Sequence, residues 1–156
     1  GIVPQEINLD PFFSPRKLLE LQSGLYGIKK KNRITDTILK LVSLEKQANS
    51  YARSLSGGMK RRLLIAKAMV HSPPILVLDE PTSGLDPRGV KALRVVLKDL
   101  NKKGLTIILS SHVLTEVQEI CSHVGIINRG KLIREESIED IRKEIEKKSK
   151  RMILEK

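Results

Sequence analysis

Two adjacent carboxylates, Asp79 and Glu80, follow the apolar run Ile75–Leu78. In α/β proteins the carboxyl ends of parallel strands form the edge at which ligands bind. Of two acids placed there, one can hold Mg²⁺ and the next can polarise a water molecule that attacks a phosphate. The competing interpretation is that both acids only cap a loop.

A histidine takes an equivalent position in the second half of the chain. His112 follows the apolar run Leu105–Leu109 after two serines, Ser110 and Ser111. If both runs are parallel strands, His112 lies at the same edge as the two carboxylates. Taken alone, a single histidine is more often structural than catalytic.

A third chemically active stretch comes earlier in the chain. Ser56, Gly57 and Gly58 stand just before a predicted helix that runs from Lys60 to about Val70. Glycines allow a ligand to approach the backbone closely, and free N–H groups at a helix start attract phosphate. Taken alone, such a triplet is typical of a flexible loop.

The elements that must position these residues alternate between strands and helices. Gly1–Gln5 has the pattern of a strand end, and the continuous apolar runs Ile75–Leu78 and Leu105–Leu109 are typical of parallel strands buried on both faces. Asp86 followed by Pro87 predicts a helix start between these two runs. The fold class is therefore α/β, with a parallel-sheet core.

The sequence beyond the first strand divides into three regions. Residues 12–72 predict a helical subdomain, with one helix opening at Ser14 and Pro15 and a second over Thr35–Leu44. Residues 73–134 form the core, which ends in a hairpin with its turn at Asn128–Gly130. Residues 135–156 predict a charged amphipathic helix that opens at Ser137.

Together these motifs resemble the ATP-binding cassette (ABC) ATPases of ABC transporters. The resemblance covers about residues 1–133 and depends on the order and spacing of four motifs. It implies a partial P-loop NTPase fold of the ABC type in residues 1–134, with ATP and Mg²⁺ as cofactors. The implied catalytic residues are Glu80 as general base and His112 as the switch histidine on the γ-phosphate. The implied binding residues are Asp79 and Gln5 for Mg²⁺ and Gln5, Ser56, Gly57, Gly58 and Asp86 for the nucleotide.

The resemblance also implies partners. The signature loop Ser56–Gly58 of this family contacts ATP held by a second ATPase subunit in a head-to-tail dimer, and residues 83–86 look like the D-loop that communicates across that dimer. The helices after the glutamine, here about residues 10–33, dock on a transmembrane permease. The run Met59–Arg62 resembles cassettes of the ABC-2 type, many of which serve export. The expected location is cytoplasmic, peripheral on the inner face of the membrane.

One family motif is missing from the sequence. No Gly-rich Walker A loop with its phosphate-binding lysine is present. The stretch Gly125–Leu132 has the glycine and lysine spacing, but Leu132 stands where Ser or Thr must bind Mg²⁺, and a hairpin is the better interpretation. We therefore expect a fragment of a cassette or the second half of a split gene, which needs a preceding Walker A segment and does not hydrolyse ATP alone.

Composition excludes several other classes. The apolar content is too high for disorder, and the longest run without Asp, Glu, Lys or Arg, Gly104–Thr115, is too short for a membrane span. Cys121 is the single cysteine, so no internal disulfide forms. With 3% aromatics and no Trp, a base-stacking single-strand binder is excluded and nucleic acid is disfavoured as a partner.

The net charge of +11 leaves alternatives open. Two basic clusters, Lys29–Arg33 and Lys60–Lys67, are expected to be solvated or partner-docking faces. One alternative function is a soluble cassette ATPase that acts on ribosomes or nucleic acid. The other is a non-catalytic interaction module, favoured by the missing Walker A loop and disfavoured by the presence of Glu80 and His112.

Overall fold

The computed structural model describes residues 1–145. The chain forms two compact units, Gly1–His112 and a second that begins at Val113. The first unit contains β1 (Ile2–Val3), α1 (Pro15–Leu25), α2 (Thr35–Leu41), α3 (Gly57–Met69), β2 (Ile75–Leu78), α4 (Pro87–Lys102) and β3 (Thr106–Leu109). The second contains α5 (Leu114–Ile120), β4 (His123–Asn128) and β5 (Lys131–Ser137), and residues 138–145 are helical.

The sheet of the first unit is parallel throughout, in the order β1, β2, β3. Its register aligns Val3 with Leu78 and Leu78 with Leu109, so the three strands end together. The residues that follow each strand therefore meet at one edge. This confirms the α/β class and the parallel core.

The expectation that the strands are buried on both faces is wrong. Leu76 and Leu78 are buried, whereas Ile75 and Val77 are 45% and 38% exposed. Residues alternate between the two faces of a strand, so one face of β2 belongs to the core and the other does not. In β3 the contrast is weaker: Ile107 and Leu109 are half-buried, and Ile108 is 54% exposed.

The buried face of the sheet joins a helical core. α3 contacts β1, and α4 contacts both α3 and β3. The side chains that fill the space between them are aliphatic and almost fully buried: Leu63, Ile65, Leu93, Leu97 and Leu100. This core holds the loops after the strands in fixed positions.

Side-chain caps determine where the helices begin. Ser14 accepts a hydrogen bond from the Lys17 N–H at the start of α1, and Asp86 accepts one from the Gly89 N–H at the start of α4. Both positions were predicted from sequence, because each capping residue precedes a proline. Two other bounds were predicted wrongly: α3 begins at Gly57 rather than Lys60, and α2 ends at Leu41 rather than Leu44.

The second unit contains the predicted hairpin. β4 and β5 pair antiparallel around a two-residue turn in which Arg129 and Gly130 have φ of 49° and 74°. Two consecutive positive φ angles are typical of a type I′ hairpin turn. This backbone differs from a strand-to-helix phosphate loop, so the stretch Gly125–Leu132 is not a Walker A loop.

The predicted C-terminal helix is described only in part. Ser137 Oγ accepts a hydrogen bond from the Asp140 N–H at 3.1 Å, as the capping pattern predicts, and residues 138–145 are helical. Residues 146–156 of this prediction lie outside the described residues. Within residues 1–145, no helix is long and apolar enough to cross a membrane. The proposed boundary after residue 134 concerns the family's domain and stays a prediction.

Candidate functional site

Asp79 and Glu80 leave the end of β2 and are held there by the neighbouring strands. The Asp79 N–H donates to the Val3 carbonyl at 2.9 Å, which extends the pairing with β1 by one residue. On the other side, Ser110 Oγ donates to Asp79 Oδ1 at 2.6 Å and accepts from the Glu80 N–H at 3.0 Å. One serine after β3 therefore fixes both a carboxylate and the backbone beside it.

Glu80 is the residue whose backbone departs most from the strand. Its φ is 42°, in the left-handed region that non-glycine residues adopt rarely. Such strain persists only where the surroundings impose it, and it is frequent at functional sites. Here the turn directs the Glu80 carboxylate to the carboxyl edge of the sheet.

The Glu80 carboxylate meets His112 at that edge. His112 Nδ1 lies 2.8 Å from Glu80 Oε1. The side chain of His112 is 76% exposed, whereas that of Glu80 is 18% exposed. The second carboxylate oxygen, Oε2, is buried without a hydrogen-bond partner among the described residues. The pair is suited to general-base chemistry, because the histidine orients the carboxylate.

The predicted signature residues lie at the start of α3. Ser56 caps the helix by accepting from the Met59 N–H at 3.3 Å, and Gly57 and Gly58 form the first turn. A Cβ on Gly58 would lie 3.0 Å from the Gly89 Cα, so α3 and α4 approach through their glycine backbones. The first N–H groups of a helix lack intrahelical acceptors and can bind an anion, as the prediction for this loop requires.

Residues 83–86 form the second half of the loop between β2 and α4. Hydrogen bonds from the Ser83 N–H to the Glu80 carbonyl and from the Leu85 N–H to the Thr82 carbonyl fold it into tight turns. Asp86 ends the loop as the cap of α4, and a Cβ on Gly57 would touch Leu85 at 3.6 Å. The predicted D-loop and signature loop are therefore neighbours within this chain.

The structure thus divides the predicted site residues into two sets. Asp79, Glu80 and His112 meet at the sheet edge, and the signature residues 56–58 lie with Asp86 where α3 meets α4. Gln5 leaves β1 with an exposed side chain, two residues beyond the carbonyl that pairs with Asp79. The functional roles of all these site residues stay predictions.

The oxygen ligands at the edge are suited to Mg²⁺ only together with a phosphate. Among residues 1–145 no group of three or more His, Cys, Asp or Glu side chains is arranged to hold a metal. Mg²⁺ is usually held by one or two carboxylates, with substrate phosphates and water completing its six ligands. Asp79 can supply one carboxylate of such a partial set, and the role of Gln5 stays a prediction.

Two residues of this region were missed from sequence. Ser110 was noted only as part of a motif, although its position directly after β3 could have marked it as a contact of Asp79. Arg61 was assigned to a basic surface cluster, and this was wrong: it is 1% exposed and bonds to the backbone of Pro4 and Gln5.

Comparison with known proteins adds sequence similarity to this geometry. The family model described as ABC transporter matches residues 1–83, just over half of the 156-residue chain. The bacitracin transport ATP-binding protein BcrA of Bacillus licheniformis is 43% identical over 82% of this chain and 42% of its own length. The Nod factor export ATP-binding protein I of Cupriavidus pinatubonensis is 38% identical over 90% of this chain and 44% of its own length.

Two further similarities extend the comparison. The linearmycin resistance ATP-binding protein LnrL of Bacillus subtilis is 39% identical over 85% of this chain and 43% of its own length. A solved structure of the ATP-binding subunit of an ABC transporter superposes with a TM-score of 0.70 and 28% identity, over 92% of this chain and 61% of that chain. The present chain thus spans less than half the length of these three curated relatives.

Proposed function

Because this chain belongs to the ABC transporter family, we propose that it supplies the signature loop and the catalytic carboxylate of an ATPase that powers export across a membrane. The observation that best supports this proposal is the contact of Glu80 with His112 at the carboxyl edge of a parallel sheet. Similarity to proteins named for bacitracin transport, Nod factor export and linearmycin resistance supports export rather than action on ribosomes or nucleic acid.

In this proposal the residues at the sheet edge divide the work. Glu80 takes a proton from the attacking water, and His112 orients its carboxylate. Asp79, which Ser110 orients, would hold Mg²⁺ together with Gln5. The bound ion would neutralise charge on the phosphates of ATP. The first turn of α3 offers its N–H groups to a phosphate of ATP bound on the second subunit.

The exposed face of the sheet supports a role as one part of a larger ATPase domain. Ile2, Val77 and Ile108 align across the three strands and are 77%, 38% and 54% exposed. A row of aliphatic side chains on a parallel sheet is ordinarily covered, because parallel sheets are buried on both faces. We propose that the polypeptide carrying the Walker A loop covers this row and supplies the phosphate-binding lysine.

The proposed partners follow from the same family. They are a transmembrane permease, docked on about residues 10–33, and a second ATPase subunit that faces the signature loop. The complex would then lie on the cytoplasmic face of the membrane. Residues 10–33 include exposed side chains suited to docking, among them Phe12 at 65% and Leu25 at 83% exposure.

A chimera tests the ATPase proposal. The Walker A part of the Bacillus licheniformis relative is joined to this chain, and release of phosphate from Mg-ATP is measured. We expect turnover that falls about 10²- to 10⁴-fold in the Glu80→Gln variant, because a general base typically contributes that factor. Asp99→Asn is the matched control, since Asp99 is an exposed acid on α4.

The contrary outcomes are distinct. A folded chimera that binds ATP but releases no phosphate would contradict the proposal. So would turnover that survives Glu80→Gln, because the water would then be activated by another group. Turnover by the isolated chain would contradict the need for a Walker A partner.

A further inference from the structure

Arg61 carries a buried charge in the middle of the first unit. It lies in the second turn of α3, four residues after the start of the helix, and is 1% exposed. Burial lowers the pKa of its guanidinium from the usual value, and the nearby charge of Asp79 opposes that shift. Burying a cation is costly unless hydrogen bonds and opposite charge compensate it, so its partners define what the residue does.

Those partners are two consecutive backbone carbonyls. Arg61 Nη1 donates to the Pro4 carbonyl at 2.8 Å, and Nη2 donates to the Gln5 carbonyl at 2.6 Å. The guanidinium Nε has no hydrogen-bond partner among the described residues. The hydrogen bonds that this guanidinium makes with the described residues therefore go to the Pro4–Gln5 segment. Charge-assisted bonds of this kind are roughly twice as strong as neutral ones.

The convergence of two successive carbonyls also shapes the chain. In an extended strand, neighbouring carbonyls point in opposite directions. Here both reach one guanidinium, and the chain bends at residues 5 and 6, directly after β1. The preceding carbonyl, that of Val3, accepts from the Asp79 N–H. Three consecutive carbonyls therefore connect this segment to α3 and to the end of β2.

We infer that Arg61 is a positioning residue that fixes the Pro4–Gln5 backbone between the signature helix α3 and Asp79. With both carbonyls engaged, the bend places the Gln5 side chain outside the core, where it is exposed. The positions of the glutamine segment and of the helix that begins at Ser56 are thereby coupled through one side chain. The contact of Arg61 with the two carbonyls does not depend on the proposed ATPase function, whereas its effect on catalysis rests on that function.

Amide hydrogen exchange of the full chain, resolved by NMR, tests the positioning role. The reporter is the Asp79 N–H, bonded to the Val3 carbonyl, and the internal reference is the Ser110 N–H, bonded to the Leu78 carbonyl at 3.0 Å. In Arg61→Met the freed carbonyls turn to water and the segment loosens. We expect exchange at Asp79 to rise about tenfold, the factor that corresponds to losing one or two hydrogen bonds to a charged group, while Ser110 keeps its rate.

Two further variants keep this test decisive. Arg62→Met removes a cation from the same helix without touching the segment and should leave both amides unchanged. Arg61→Lys keeps the buried charge but lacks the planar fork, so we expect a smaller rise at Asp79 even if Arg61→Met fails to fold. A joint rise at Asp79 and Ser110 would mean a general loss of stability and would overturn the inference, as would unchanged exchange at Asp79.

A second readout tests the link to catalysis. In the chimera, the Mg²⁺ concentration for half-maximal turnover should rise in Arg61→Met as in Gln5→Ala, and the double variant should add little because both changes act through one residue. Additive effects would overturn that link. If the chimera shows no Glu80-dependent turnover, the proposed function fails, while the amide exchange still decides the role of Arg61.

Discussion

Gly58 lies in the predicted signature loop and also at the close contact between α3 and α4. A Cβ there would meet the Gly89 Cα at 3.0 Å, whereas at Gly57 it would meet only the Leu85 side chain at 3.6 Å. We expect Gly58→Ala to destabilise the chain by about 1–3 kcal/mol, because a backbone clash outweighs the ~0.5–1 kcal/mol that alanine gains over glycine in a helix. Urea denaturation measures the difference.

Gly57→Ala is the matched comparison for that substitution. Its Cβ makes ordinary contact, so we expect stability equal to or slightly above that of the unchanged chain. If Gly57→Ala destabilises as much as Gly58→Ala, the close approach of α3 to α4 is not the reason for glycine at position 58.

Ser110 holds the Asp79 carboxylate and the backbone of Glu80. Its hydroxyl donates to Asp79 Oδ1 and accepts from the Glu80 N–H. Ser110→Ala should cost about 1 kcal/mol in the free energy of unfolding, as expected for the net loss of an exposed hydrogen-bonded hydroxyl. In the chimera it should lower turnover at saturating ATP. Turnover equal to that of the unchanged chimera would show that Asp79 is oriented without it.

At the scale of elements, substitutions at Asp86 distinguish the capping hydrogen bond of its side chain from the effect of its charge. Its carboxylate caps α4 by accepting from the Gly89 N–H at 2.8 Å. Asp86→Ala should lower the free energy of unfolding by about 1 kcal/mol, while Asp86→Asn keeps the acceptor and should lose much less. Thermal unfolding of the two variants checks this. Equal losses would mean that charge, rather than the cap, is the stabilising feature.

The helical subdomain contains an ionic connection whose effect depends on pH. Glu20 on α1 accepts hydrogen bonds from Thr35 and from Arg33 Nη1, the latter at 2.6 Å, and these two bonds lower the pKa of Glu20. A carboxyl whose pKa is lower in the folded state stabilises that state above its unfolded pKa. That stabilisation is lost as the pH falls through the folded pKa.

Substitution by the uncharged amide isolates this effect. Glu20→Gln should lower the free energy of unfolding by up to ~1 kcal/mol near neutral pH, and the difference should shrink below about pH 4.3, where the unfolded carboxyl takes up its proton. Urea denaturation at several pH values measures it. Glu45→Gln, at an exposed glutamate, is the control and should show no such pH dependence. A difference for Glu20 that is undiminished at pH 3 would contradict the ionic origin.

The elements also show what the sequence can predict. Helix starts at Ser14 and Asp86 were found because a capping side chain followed by proline is a local signal. The start of α3 was placed three residues late, because Gly57 and Gly58 are poor helix formers and the helical pattern becomes visible only at Lys60. Ser56 caps this helix as well, so a local signal was present, but the two glycines that follow it obscured the helical pattern.

The candidate site divides in the same way. The meeting of Glu80 with His112 follows from strand order, because residues after neighbouring parallel strands share an edge. The burial of Arg61 could not be predicted, since in sequence it is one of several cations and its partners are backbone carbonyls 56 and 57 residues away. Side-chain to backbone contacts over such distances carry no sequence pattern.

At the scale of the whole molecule, the open face of the sheet was misjudged for a related reason. A continuous apolar run such as Ile75–Leu78 indicates that both faces of the strand are suited to burial. It does not indicate which polypeptide covers each face. In this structure helices cover the face of Leu76 and Leu78, and the opposite face stays exposed. If the proposed Walker A polypeptide covers the exposed face, the pattern describes the assembled protein rather than this chain alone.

Substitutions on the exposed face of the sheet test whether this face binds the Walker A polypeptide. Val77→Thr and Ile108→Thr keep the β-branched shape favoured in strands, and both sites are already exposed, so we expect the free energy of unfolding of the chain to change by no more than ~0.5 kcal/mol. Binding of a separate Walker A polypeptide should weaken by about tenfold or more, because Val77→Thr replaces a methyl group, and Ile108→Thr an ethyl group, with a hydroxyl in the buried contact.

Leu78→Ala provides the contrasting control on the other face of the same strand. Leu78 is 1% exposed, so its truncation should cost about 2–5 kcal/mol of folding free energy. Titration calorimetry with the Walker A polypeptide and urea denaturation of each variant separate the two effects. If the threonine variants destabilise the chain while binding is unchanged, the exposed row serves the fold of this unit and the Walker A segment docks elsewhere.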